Sequence, residues 1–171
     1  YQILVFGFAI LNFIGSLLLS FPFASQSGES LTYIDALFTA TSAVCVTGLT
    51  IADTGTYFST FGQVVIISLI QIGGLGIMTA TTLIAVLMGK KIHLKDRLMI
   101  QESFAHYNSN GVIRLVLYVI KLTLVIELIG GIILTMFLFP DYGFKAIYLG
   151  FWHSISSFCN AGFDILGHGN S

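Results

Sequence analysis

Ser42-Ala43-Val44-Cys45-Val46-Thr47-Gly48-Leu49 returns later in the chain as Ser156-Ser157-Phe158-Cys159-Asn160-Ala161-Gly162-Phe163. Under a single offset of 114 residues the Ser, Cys and Gly coincide, and Phe38 falls on Trp152. Each phrase ends a short apolar stretch, and each short stretch follows a hydrophobic segment long enough to cross a bilayer. Non-helical backbone is tolerated at membrane depth only where it is buried in protein or lines a cavity. A Gly-centred turn repeated at that depth points to an ion pore.

The composition agrees with a membrane setting. The chain is 56% hydrophobic and only 9% charged, which excludes an ordinary soluble domain. The few basic residues are not interleaved with aromatics on a polar face, so nucleic acid is excluded as a partner. Cys45 and Cys159 occupy the same place in both phrases and do not read as a disulfide framework. Each is expected to be a small buried apolar side chain. Neither has a second Cys or a His at ligand spacing, so no transition-metal site is expected. No secretory signal pattern is visible, and the sequence reads as truncated at both ends.

Working outward from the first phrase, residues 1–24 form an apolar span closed by Pro22 and the polar cluster Ser25 to Gly28. Residues 31–44 reach only about 21 Å as a helix, too short to cross, and read as a re-entrant segment. Residues 61–88 supply a full span with Gly73, Gly74 and Gly76 near its middle. Those glycines predict either close helix packing or a bend lining a passage. Residues 89–111 form a polar linker, 112–139 span again, and Pro140 to Gly143 turn the chain. Residues 145–158 then repeat the short helix. The expected organisation is a helix–pore loop–helix unit over 1–88, the linker, and an incomplete second unit over 112–171.

Orientation follows from the basic residues. Lys90, Lys91, Lys95, Arg97 and Arg114 gather at the linker, which places 89–111 in the cytoplasm and both Gly turns outside. Glu29, Asp35, Asp53, Asp141 and Asp164 then lie on the outer side, where acids beside a pore mouth concentrate cations.

Potassium selectivity needs backbone carbonyls that replace the ion's hydration shell. Turning successive carbonyls one way suits Gly far better than a residue with a Cβ. The C-terminus of a short helix adds roughly half a negative charge facing the cation. No acid stands between Ser42 and Leu49, and carbonyl ligation needs none.

At these residues the sequence resembles the Trk/Ktr/HKT superfamily of potassium transporters, closest to a bacterial Ktr-type membrane subunit. The resemblance rests on Asp35 to Phe38, Ser42 to Thr50, Gln71 to Thr79 and Ser157 to Phe163. It implies an all-α integral membrane protein of the cell membrane, built from four helix–pore loop–helix units around one pore. Two of those units fall in this sequence. The implied potassium filter is Cys45, Val46, Thr47, Gly48 and Leu49 with Cys159, Asn160, Ala161, Gly162 and Phe163. The implied partners are the lipid bilayer, a second copy in a homodimer, and a cytosolic nucleotide-binding regulatory ring. Potassium would be the transported ion, and no organic cofactor is implied.

Other residues leave alternatives open. Glu127 sits mid-span, where a charge is costly, and reads either as a cation contact or as a hydrogen bond to another helix. Lys121 is six residues earlier, not a helical pairing distance, and suits snorkelling toward the inner boundary. His153 reads as packing. A membrane-embedded enzyme lacks any nucleophile–base constellation. A small cation channel assembled from short chains is the competing architecture, which the second copy of the turn argues against.

Overall fold

The computed structural model describes residues 2–87 and 109–167. Among the described residues five α-helices follow in order: α1 Gln2–Ser20, α2 Tyr33–Val44, α3 Thr60–Leu87, α4 Ser109–Tyr142 and α5 Lys145–Phe158. A 3-10 turn, Pro22–Ala24, follows α1. Among the described residues the only β-type pairing is the isolated antiparallel bridge between Ser25 and Phe58. The windows Thr60–Ile77 of α3 and Val116–Tyr142 of α4 are long and apolar enough to cross a membrane. Only 17% of the α4 window is buried inside the molecule, so its apolar surface needs a nonaqueous neighbour.

α5 has the predicted bounds, α2 starts at Tyr33 rather than 31, and the long helices differ in detail. α1 stops at Ser20 rather than 24, because Pro22 cannot continue its hydrogen bonds. α4 runs through Pro140 to Tyr142, so that proline is not the turn. The chain breaks at Gly143, which takes φ +55° and donates its N–H to Phe139 O at 2.9 Å. The left-handed glycine is what ends the helix.

The chain divides into two compact units, Tyr1–Gly74 with Ile126–Ser171, and Leu75–Val125. The first carries α1, α2, α5, both turns, the first half of α3 and the last part of α4. Its core gathers Ala40, Val44, Ile66, Ile70, Trp152 and Phe163. α1 meets α2 and α3 at Gly15, where a methyl would come 2.7 Å from Leu69 Cδ1 and 3.2 Å from Ala40 Cβ. α4 meets α5 at Gly130, where a methyl would come 2.6 Å from Ser154 Oγ. Ala40 and Ser154 are themselves 114 residues apart, so each short helix meets its preceding long helix at the matching residue, although the two glycines, 115 apart, are one residue out of register. Small residues allow that approach, as they do where helices pack in lipid. The second unit holds the remaining parts of α3 and α4, and the residues between them lie outside the described set.

Candidate functional site

Both short helices end in the same hydrogen-bonded loop. At the end of α2, Thr47 N–H bonds Ser42 O at 3.0 Å and Val46 N–H bonds Ala43 O at 3.2 Å. At the end of α5, Ala161 N–H bonds Ser156 O at 2.8 Å and Asn160 N–H bonds Ser157 O at 3.0 Å. This six-to-one and five-to-two pattern is a Schellman motif, which requires a left-handed residue just past the cap. Val46 and Asn160 fill that position, each with φ +58°. Asn tolerates it, whereas a β-branched side chain there is strained.

Two residues on, Gly48 and Gly162 are again left-handed, with φ +76° and +72°. The loops lie side by side at these glycines. A methyl on Gly48 would come 2.6 Å from Ala161 O and 3.2 Å from Gly162 Cα. Only a bare Cα permits that approach. Among the described residues, the carbonyls of Cys45 to Gly48 and Cys159 to Gly162 accept no hydrogen bond. They lie just past the C-terminal, negative ends of two helices.

Two serines pin the far ends. Ser42 Oγ accepts from Leu49 N–H and Thr47 Oγ1, both at 2.9 Å. Ser156 Oγ donates to Phe163 O at 2.6 Å. His153 extends the second loop's support, with Nδ1 at 2.7 Å from Leu149 O and Nε2 accepting from Ile165 N–H at 3.3 Å. That pattern fixes the tautomer carrying its proton on Nδ1. Thr39, its counterpart in α2, bonds only its own helix, through Asp35 O at 2.9 Å.

α3 seats both loops through glycines. A methyl on Gly73 would collide with the Val44 carbonyl, and one on Gly74 would come 2.7 Å from Cys159 Sγ. Close packing, not a bend, is therefore what these two glycines do. The arrangement also corrects the expectation for the cysteines. Cys159 is buried against α3, but Cys45 is exposed. One helix cannot offer the same surface to both loops, and on the α2 side it is Val44 that meets the glycine.

Gln63, in the first turn of α3, ties the pieces together and had not been singled out from sequence. Its Nε2 donates to Phe58 O at 3.1 Å and Thr54 O at 3.3 Å. Its Oε1 accepts from Tyr148 Oη at 3.1 Å, and its backbone carbonyl accepts from Trp152 Nε1 at 3.2 Å. A buried glutamine at the start of a spanning helix was the available signal. Asp53, expected among the acids of an outer mouth, holds the 53–57 turn by accepting Gly55 and Thr56 N–H at 2.9 Å. The 89–111 linker lies almost wholly outside the described residues.

Apolar membrane-length helices and short helices that end in glycine loops define an all-helical membrane protein. Residues 1–171 match the TrkH family of cation transport proteins, and the chain belongs to that family, a family of potassium transporters of the Trk/Ktr type in the plasma membrane rather than of enzymes. It is 46% identical over 167 residues to the potassium/sodium uptake protein NtpJ of Enterococcus hirae, covering 97% of this chain and 37% of that protein. It is 47% identical over 165 residues to the Ktr system potassium uptake protein B of Bacillus subtilis, covering 96% and 37%. Against the Ktr system potassium uptake protein B of Vibrio alginolyticus the identity is 39% over 160 residues, covering 90% and 35%. The chain thus spans little more than a third of the length of these relatives.

Proposed function

We propose that this chain carries two of four pore loops of a potassium-uptake membrane subunit, and that potassium passes in single file through carbonyls of Cys45 to Leu49 and Cys159 to Phe163. The observation that carries the reading is the pair of matched loops, touching at Gly48 and Gly162, whose carbonyls from Cys45 to Gly48 and from Cys159 to Gly162 accept no hydrogen bond among the described residues. Carbonyls left free at helix C-termini suit a weakly hydrated monovalent cation. Relatives named as potassium uptake proteins support the choice of ion. The units are 1–88 and 112–171, joined by a cytoplasmic linker over 89–111. Relatives named as parts of a Ktr system support a separate regulatory partner, proposed as a cytosolic nucleotide-binding ring under a homodimer of membrane subunits.

The test is Gly162→Ser in the full-length transporter. A Cβ there meets only Gly48 Cα, at 3.4 Å, and the left-handed φ of +72° adds strain of about 1–2 kcal/mol, so the protein is expected to fold with a modest loss of stability. Potassium affinity or potassium-over-sodium discrimination should fall about tenfold, equivalent to roughly 1.4 kcal/mol of ion binding. Unchanged uptake and selectivity in a well-folded variant would falsify the filter assignment.

A further inference from the structure

Glu127 is an acid in the apolar middle of α4, 5% exposed, and the transport reading makes no use of it. Gln71 of α3 donates Nε2 to its Oε2 at 3.1 Å. Among the described residues the other carboxyl oxygen, Oε1, is buried without a donor, and so is Gln71 Oε1. No cation compensates the acid among the described residues. α3 carries no charged residue along its whole length. α5 offers Lys145 at its first position and His153, whose two ring nitrogens are already engaged. Lys121 of α4 is exposed and six residues away, off the helical pairing distance. The remaining titratable neighbour is the Cys159 thiol.

Two buried acceptors left over on one interacting pair amount to one missing proton. Carboxyl and primary amide are both planar, with similar spacing between their two polar atoms. A proton on Glu127 Oε1 gives that oxygen a donor and Gln71 Oε1 its partner, so the single bond becomes a reciprocal pair. An ionised carboxylate would leave both acceptors unmet and add a bare charge in an apolar surround.

The pair sits where the second loop is held. Glu127 O accepts Ser154 Oγ at 2.7 Å, which joins α4 to α5. Two and three residues after Gln71, Gly73 and Gly74 seat Val44 and Cys159. We propose that Glu127 is a positioning residue, held as a neutral acid paired in both directions with Gln71, and that this pair keeps α5 and the 159–163 loop in register on α3. Its transport readout rests on the filter reading above; its spectroscopic readout does not.

The experiment uses the full-length transporter in lipid. Infrared difference spectra against Glu127→Gln should show a protonated-carboxyl band in the wild-type protein that persists at neutral pH. Glu127→Gln keeps both hydrogen bonds, amide to amide, so it should retain wild-type uptake and potassium-over-sodium selectivity. Glu127→Leu and Gln71→Leu each strand a buried partner and should lower thermal stability and selectivity. The double variant strands neither and should recover part of both losses. The proposal is overturned if the band is absent from the wild type. It is overturned equally if Glu127→Gln abolishes selective uptake while Glu127→Asp preserves it, because a charge would then be required. Failure of Gly162→Ser to alter selectivity would undo the filter reading and leave the infrared result standing.

Discussion

Val46 and Asn160 perform one backbone task with different side chains. Each bridges a helix cap to a filter-candidate loop in the left-handed region, at φ +58°. For Val that conformation costs about 1–2 kcal/mol, and Asn relieves part of it by local hydrogen bonding. Val46→Asn should therefore stabilise the folded protein by roughly 1 kcal/mol, since the same site is strained only in the first loop. A thermal melt of the purified transporter measures it, and a lower melting temperature would mean that Val46 makes packing contacts worth more than its strain. The two loop glycines differ as well. Gly48→Ala drives a methyl to 2.6 Å from a backbone oxygen, whereas Gly162→Ala meets only a Cα at 3.4 Å. Gly48→Ala should accordingly reduce folded yield and melting temperature more than Gly162→Ala, although both alter selectivity. Equal stability losses would count against the side-by-side placement of the loops.

At the scale of elements, α3 acts as the shelf on which both short helices rest. Gly74→Ala should cost about 1–3 kcal/mol, the range for overpacking a tight contact. The methyl would meet Cys159 Sγ at 2.7 Å, so Cys159→Ala in the same chain should restore part of the loss. A double-mutant cycle on melting temperature measures the coupling, and simple additivity would show that the sulfur is not the obstacle. Gln63 works at the same scale from the other end of the helix. Gln63→Leu leaves the Thr54 carbonyl and the Tyr148 hydroxyl without this partner, while the Phe58 carbonyl keeps only Gln26 Nε2 at 3.2 Å. Stranding a buried polar group costs about 1–3 kcal/mol, so this variant should fold less well. Expression and monodispersity on a sizing column report it.

At the scale of the molecule, two loops do not enclose an ion. A carbonyl-lined filter is built from four segments, and the proposed assignment finds two here. Residues 1–171 alone, reconstituted in liposomes, should give no potassium-selective flux. Robust selective flux would favour a dimer of two-loop chains over a four-unit subunit. The orientation has its own check. A cysteine at Ser109 should react with an impermeant thiol reagent only in inside-out vesicles, and one at Ser27 only in right-side-out ones. The opposite pattern would invert the membrane topology.

The short helices, their ends and the loop glycines were legible in the sequence because they follow from local chemistry. Apolar length fixes which segments can cross, and the left-handed backbone at Gly48, Asn160 and Gly162 leaves a residue type as its trace, which it does not at Val46. Such signals need only neighbours along the chain. The spatial relations were not legible in the same way. Nothing local says that Gly48 lies on Gly162, that Gly73 takes Val44 while Gly74 takes Cys159, or that Cys45 is exposed and Cys159 buried. These depend on which surface of α3 each loop meets, and packing of distant segments decides that. Pro140 shows the reverse error, a strong local signal overruled. One lost hydrogen bond near a helix end is outweighed by the packing of α4 on α5, and the break waits for Gly143. Glu127 was visible from the start as a costly acid in a span. Only the tertiary structure supplied Gln71 as its partner, because a hydrogen bond across 56 residues is set by how helices pack.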